Sequence, residues 1–197
     1  MAREVDNRTD EELMLQFKGG DEACFRVLVD RHKQRVFNLT FRFLDGNQDA
    51  EDIAQEVFVK VYFARNTYQP TARFTTWLYV IARNACLQAL RKKSPSLSLD
   101  ESSAEKPEGI RSGLPDEKSP EPCEAAMSAE RQKMIGEALR RLPESQRLVI
   151  LLKRYDDLSY EEIAEIMSCS IQAVKSLLFR GRQAMKEFLK EYLRESV

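Results

Sequence analysis

Apolar positions along the chain recur at helical spacing. In DAEDIAQEVFVKVYFA (residues 49–64), Ala50, Ile53, Ala54, Val57, Phe58 and Val61 fall on one side of a helix. Asp49, Asp52, Gln55 and Glu56 collect on the other side, and Val59 and Phe63 lie on that acidic face. A loop around Pro70 follows, and a further helix is predicted from about Phe74 through WLYVIARNACLQALRKK. Downstream, LRRLPESQRLVILLKRYDDLSYEE reads as two shorter helical stretches broken at Pro143. Ser159 and Glu162 form an S-x-x-E capping box, so the next helix starts at Tyr160, with Ile163, Ala164, Ile166 and Met167 as its apolar face. After a polar Ser168-Cys169-Ser170 break, Ser170 is the expected N-cap of a last helix. At about 100° per residue that helix sorts into two sides. Ile171, Val174, Leu177, Leu178, Met185, Phe188 and Leu189 share one, and Gln172, Lys175, Ser176, Phe179, Arg180 and Arg182 the other.

Composition turns this pattern into a fold class. With 7 Gly, 7 Pro and few β-branched runs in 197 residues, the chain is expected to be all-α, as two small helical domains. The second of these is a compact four-helix unit. The formal net charge of −1 is unevenly spread: residues 1–93 sum to +2, residues 94–130 to −6 and residues 131–197 to +3. The acidic middle is rich in Pro, Ser and Gly and cannot bury enough apolar surface to offset its ordering entropy. It reads as a flexible acidic linker, over 94–127, between domains at 9–93 and 128–195, and a plain tether has the same composition.

Several chemistries are excluded. No stretch approaches the roughly 18 apolar residues of a membrane span, and no apolar segment follows the first charges, so no signal peptide is expected. Cys24, Cys86, Cys123 and Cys169 are scattered and suit a reducing cytosol rather than a disulfide frame or a cysteine zinc site. His32 is the only histidine, set in Arg31-His32-Lys33 and expected at the surface. With no P-loop, nucleophile elbow or metal-ligand cluster, no catalytic residue, metal or cofactor is assigned.

Three surfaces remain. The last helix has the layout of a DNA-recognition helix, with an apolar inner face and an outer face of Lys, Arg and small polar groups for the major groove. An amphipathic helix with a solvated charged face shares that pattern. Phe179 is the informative residue, because the core does not need it there, while an aromatic ring suits a thymine methyl. Val59 and Phe63, embedded in an acidic face, look like a docking patch, although isolated surface hydrophobes are common. In the helix from Phe74, Trp77 and Tyr79 interleave with Arg83, Asn84, Arg91, Lys92 and Lys93. Stacking faces, backbone charge and an amide donor are what single-stranded nucleic acid needs, but Trp77 taken alone reads equally as core.

Taken in order, DAEDIAQEVFVKVY, F-x-T-W-L-Y-x-I-A-R-N, the acidic linker, LRRLPESQRLVILL and LSYEEIAEIMSCSIQAVKS resemble an extracytoplasmic-function sigma factor, a two-domain initiation factor of bacterial RNA polymerase. The resemblance covers about residues 9–93 and 128–192. It implies that Asp49, Asp52, Gln55 and Glu56 dock on the polymerase clamp coiled coil; Val59 and Phe63 are added to that patch from their own position on the acidic face, not from the resemblance. It implies opening of the promoter at the −10 element by the helix from Phe74. Asn84 would hold an extruded base there, with help from the loop from Tyr68 to Phe74. Trp77, Tyr79 and Arg83 complete that set. Ser170, Gln172, Lys175, Ser176, Phe179, Arg180 and Arg182 would read the −35 duplex. The implied partners are core RNA polymerase, promoter DNA and an anti-sigma factor. The linker's −6 charge then fits a mimic of nucleic acid inside the polymerase. Two departures stand out: K-S-L-L replaces the common K-S-R-L run at Leu177, and Ser168 stands where the turn usually has Gly. A stand-alone helix-turn-helix regulator is the alternative, and it predicts specific DNA binding without polymerase.

Overall fold

The computed structural model describes residues 7–46, 49–93 and 122–195, with side chains 93, 122–129, 193 and 195 left aside. Among the described residues there are eight α-helices and no strand. They are α1 (Asp10–Lys18), α2 (Glu22–Phe43), α3 (Asp49–Ala64), α4 (Phe74–Lys93), α5 (Pro122–Arg140), α6 (Glu144–Tyr155), α7 (Tyr160–Met167) and α8 (Ile171–Glu195). The all-α expectation holds. Most of the expected acidic linker, residues 94–121, lies outside the described residues, and α5 begins at Pro122, inside the stretch read as linker.

Capping chemistry sets the helix ends. Thr9 and Glu12 close a capping box on α1, with Thr9 N donating to Glu12 Oε2 at 2.8 Å. Asp21 caps α2 by accepting from Ala23 N. The first turn of α4 is capped from another helix: Phe74 N donates to Glu11 Oε1 at 2.7 Å, placing a carboxylate where the helix dipole favours one. Ser159 and Glu162 form the predicted capping box, and Ser170 Oγ accepts from Ala173 N at 3.1 Å at the start of α8. Between α7 and α8, Ser168 sits in the left-handed region at φ 53°.

Helices α1–α4 close around Leu13, Phe17, Leu28, Phe43, Val57 and Phe74, all buried. Each such side chain contributes about 1.5–3 kcal/mol on leaving water. His32, expected at the surface, is buried among them. Its Nε2 lies 2.7 Å from Asp10 Oδ2 and its ring packs against Phe74 at 5.4 Å, so a carboxylate from α1 and an apolar wall from α4 make an interior imidazole tolerable. Helices α6–α8 enclose Leu148, Leu152, Ile163, Ile166, Val174 and Leu178. Gly181 lets α8 approach α6 closely, since a Cβ there would fall 2.7 Å from Ile150 Cδ1. Of the face expected inside α8, Val174 and Leu178 are buried, Leu177, Met185, Phe188 and Leu189 are half-buried, and Ile171 is 38% exposed. The two halves pack directly, α2 against α6 and α4 against α7, and their buried residues form one continuous cluster.

Candidate nucleic-acid and partner interfaces

Helix α3 buries Ala50, Ala54, Val57 and Val61. Ile53 and Phe58 are half-buried against the same core. Its outer side exposes Asp49, Asp52 and Gln55, and Glu56 pairs with Lys60 at 2.9 Å. Val59 is 52% and Phe63 75% exposed. Both belong to the wall of an open groove of about 640 Å³ between α2 and α3, floored by Phe25, Phe37 and Phe58. Tyr62 holds Phe63 edge-on at 5.6 Å and Phe25 at 5.4 Å, so the groove rests on a linked aromatic stack. Sequence periodicity identified the two exposed hydrophobes. The α2 side of the groove was missed, because Phe25 and Phe37 look like ordinary core positions in isolation.

The loop before α4 and the helix itself are arranged differently. Tyr68 and Phe74 are buried, and both rings pack against Trp77, at 5.2 and 6.0 Å. Burial, with help from Glu11 and Asp10, pushes the Tyr68 phenol up to about 12. Lys18 Nζ donates to Tyr68 O at 3.0 Å and holds the loop on α1. Trp77 and Arg83 are half-buried and Asn84 is exposed. Tyr79 is buried, and its hydroxyl donates to Asp156 Oδ1 across the boundary between the two halves. Arg83 Nη1 donates to Ile166 O at 3.1 Å, at the end of α7. Asn84 is thus the member of the predicted set that the fold presents openly.

On α8 every predicted outer residue is exposed: Ser170, Gln172, Lys175, Ser176, Phe179, Arg180 and Arg182. Phe179 is 65% exposed. It lies in a shallow hollow shared with Gln172, Lys175, Ser176 and Arg180. A second hollow joins Lys175, Phe179 and Arg182 to Tyr160, Gln183 and Lys186. Gln183 and Lys186 extend the strip one turn further along α8, and Tyr160 meets it from α7. Leu177, the residue that departs from K-S-R-L, is half-buried and packs against the core. The strip therefore combines one aromatic face, several cations and small polar side chains on a rigid helix. That is the chemistry for phosphates and base edges in a major groove.

Sequence reasoning gave no sign of the boundary between the halves. The Arg147 guanidinium, from α6, donates through Nη1 to Phe43 O at 2.9 Å and through Nη2 to Arg140 O at 2.8 Å. One cation thus serves the carbonyl ends of two helices, α2 and α5. Asp45 lies 3.7 Å from Arg147, and burial raises the Asp45 carboxyl in spite of Arg147 and Arg140. Arg42 stacks over Tyr155 at 3.9 Å, and Arg73 pairs with Glu162 at 3.2 Å. Burial also raises the Asp156 carboxyl, against the pull of Tyr79, Arg35 and Arg42. Among the described residues no helix is long and apolar enough to cross a membrane.

Comparison with known proteins gives these surfaces a context. Residues 28–95 match the family model for sigma-70 region 2, and residues 132–185 match that for sigma-70 region 4. The chain is 36% identical over 179 residues to the ECF RNA polymerase sigma factor SigW of Bacillus subtilis, covering 89% of this chain and 94% of that protein. It is 34% identical over 189 residues to the ECF RNA polymerase sigma-E factor of Escherichia coli, covering 94% and 97%. Its fold is similar to that of the sigma factor RpoE of Bartonella quintana, solved in complex with the anti-sigma factor NepR. That match has a TM-score of 0.62 and 24% identity over 84% of this chain and 96% of the other.

Proposed function

Given that this chain belongs to the ECF sigma factors of RNA polymerase, we propose that it binds core polymerase through α3, opens promoter DNA with α4 and reads the −35 duplex with α8. The observation that carries this reading is the separation of two exposed aromatic-bearing faces of opposite charge. One is acidic, around Val59 and Phe63, and the other cationic, around Phe179.

Each face has its own physical logic. The apolar pair above the α2–α3 groove gains from burial by a partner helix, and the acidic rim of Asp49, Asp52, Gln55 and Glu56 selects one that carries bases. Phosphate contacts from Lys175, Arg180 and Arg182 fix the register of α8, while Gln172, Ser176 and Phe179 meet base edges. Ser170 serves both as the N-cap and as a donor at the helix start. Asn84 offers a bidentate amide to an extruded base, with Trp77 as a stacking wall, and Arg83 and Tyr79 join this set once the two halves separate. Extrusion costs a few kcal/mol, offset by those contacts. Tyr68 and Phe74 hold the loop that shapes the site.

The domains divide at residues 9–93 and 128–195, and the acidic segment between them tracks the polymerase near its template-strand path. The chain itself catalyses nothing, since bond making belongs to the polymerase. It works in the cytoplasm, and an anti-sigma factor holds it inactive there. The near-neutral total charge follows from this division of labour. Polymerase supplies most non-specific affinity for DNA, and a strongly basic sigma factor would be sequestered by bulk DNA.

Replacing Val59 and Phe63 by Asp tests the docking assignment. The double variant is expected to lose holoenzyme formation on gel filtration with core polymerase while its helical circular dichroism is unchanged. Normal holoenzyme formation by that variant would refute the α3 assignment.

A further inference from the structure

We infer that Gln88 on α4 is a specificity-determining residue, its carboxamide fixed by Lys60 of α3 so that it selects a keto base, guanine or thymine, next to the base held at Asn84. The inference rests on the promoter-factor reading and adds to it a residue, a positioning partner and a base preference.

Three observations carry it. First, Gln88 is placed to meet DNA. It lies four positions after Asn84, so the two side chains are neighbours on one face of α4, about 6 Å apart along the axis. Both are exposed, as are Arg91 and Lys92 in the following turn, which supply charge for phosphates. Second, the Gln88 carboxamide has a set direction. Lys60 Nζ donates to Gln88 Oε1 at 2.9 Å, from α3 to α4. An ammonium group has three donors and no acceptor, so the atom facing it is the oxygen and the NH2 group points away. Lys60 is itself held, since Glu56 Oε1, one turn earlier on α3, lies 2.9 Å from the same Nζ. Third, the charge beside the oxygen closes the other way of reading. A glutamine recognises adenine by donating to N7 while accepting from the N6 amino group. Here a cation occupies the accepting half and repels an amino group brought to it. What remains is a donor beside an ammonium, complementary to O6 and N7 of guanine and to O4 of thymine. Adenine and cytosine place an amino group at that position.

A Lys60–Gln88 bridge that only stapled α3 to α4 would contribute little on an exposed surface, and its loss would leave base preference untouched. Lys60 is therefore tested as a positioning residue through base preference rather than through stability.

The experiment uses the full chain assembled with bacterial core polymerase. The probe is a pool of duplexes whose non-template strand is unpaired and randomised through the −10 region. DNA bound by holoenzyme is recovered and sequenced, with core at saturating concentration for every variant. Asn84→Ala marks its own position by the preference that disappears. At the neighbouring position the wild type is expected to favour G or T over A or C by about three- to tenfold, the range for one hydrogen bond. Q88A should abolish that preference. K60M, which frees the carboxamide to turn, should flatten it, and K60R, which keeps a donor-only group, should retain it. Q88E presents acceptors alone and should shift the choice towards the amino bases. A wild type with no keto preference beside the Asn84 position overturns the inference, and so does a preference that survives Q88A. A preference lost in Q88A and kept in K60M overturns the role of Lys60. A wild type that selects no sequence even with core refutes the promoter-factor reading itself.

Discussion

Helices α4 and α8 carry the same kinds of side chain, aromatics interleaved with arginine and lysine, and they bury them to opposite degrees. Helix α8 touches its own domain along one side, so its outer face, with Phe179 at 65% exposure, stands in solvent. Helix α4 packs on α1, α2 and α3 of its own domain and on α7 of the other. Tyr79 is buried there and Trp77 half-buried. The lesson is that aromatic and basic residues make a nucleic-acid surface only where the number of packed sides leaves them a way out.

The sharpest way to break this contrast is to truncate one aromatic on each helix. Phe74→Ala, in the core at the start of α4, should cost about 3–5 kcal/mol in urea unfolding. Phe179→Ala should stay within about 0.5 kcal/mol of wild type and yet weaken −35-dependent transcription several-fold. Equal stability losses for the two would remove the distinction. Next in size is the carboxylate that supports the floor of α4. Burial alone would raise Asp10, but hydrogen bonds and charge from His32 and Arg31 outweigh it and hold the carboxyl below its usual range. A lowered native value means that this stability is present above the ordinary carboxylate range and is lost as pH falls through the lowered one. Asp10→Asn should cost about 1.5–3 kcal/mol at neutral pH and flatten the acid limb of the unfolding curve. An unchanged acid limb would show that the Asp10–His32 pair carries none of it.

Arg180→Ala probes the exposed side alone. Transcription from a −35-dependent promoter should fall about tenfold or more, as for the loss of a charge-assisted phosphate contact worth about 1.5–3 kcal/mol, with core binding unaltered. Asn84→Ala is the counterpart on α4 and should slow promoter opening, read by permanganate footprinting, without changing unfolding. The smallest effect is expected in the turn. Ser168 lies at φ 53°, where glycine pays no Cβ penalty, so Ser168→Gly should stabilise the protein by about 0.5–1 kcal/mol.

How much of this was legible beforehand varied with how local the determinant is. The capping box at Ser159 and Glu162, the N-cap at Ser170 and the sides of α3 and α8 depend on residues within one or two turns, and periodicity carries them. The departure at Ser168 is explained by the left-handed cap, which glycine fits better. His32 was misread as a surface residue because its partner, Asp10, is 22 positions away on another helix. Nothing in the local sequence around Arg147, Asp156 or Tyr155 marks them as a seam, since their partners Phe43, Tyr79 and Arg42 lie in the other half of the chain. Spacing reports which side of a helix is apolar. It is silent on how many neighbours that helix will meet.

The most direct test of the central claim is run-off transcription on fragmented genomic DNA with bacterial core polymerase, with and without this protein. Discrete transcripts that appear only when the protein is added, with aligned starts sharing −35 and −10 sequences, are the predicted result. No new transcripts, together with specific shifts of DNA by the protein alone, would contradict the account and favour a stand-alone regulator.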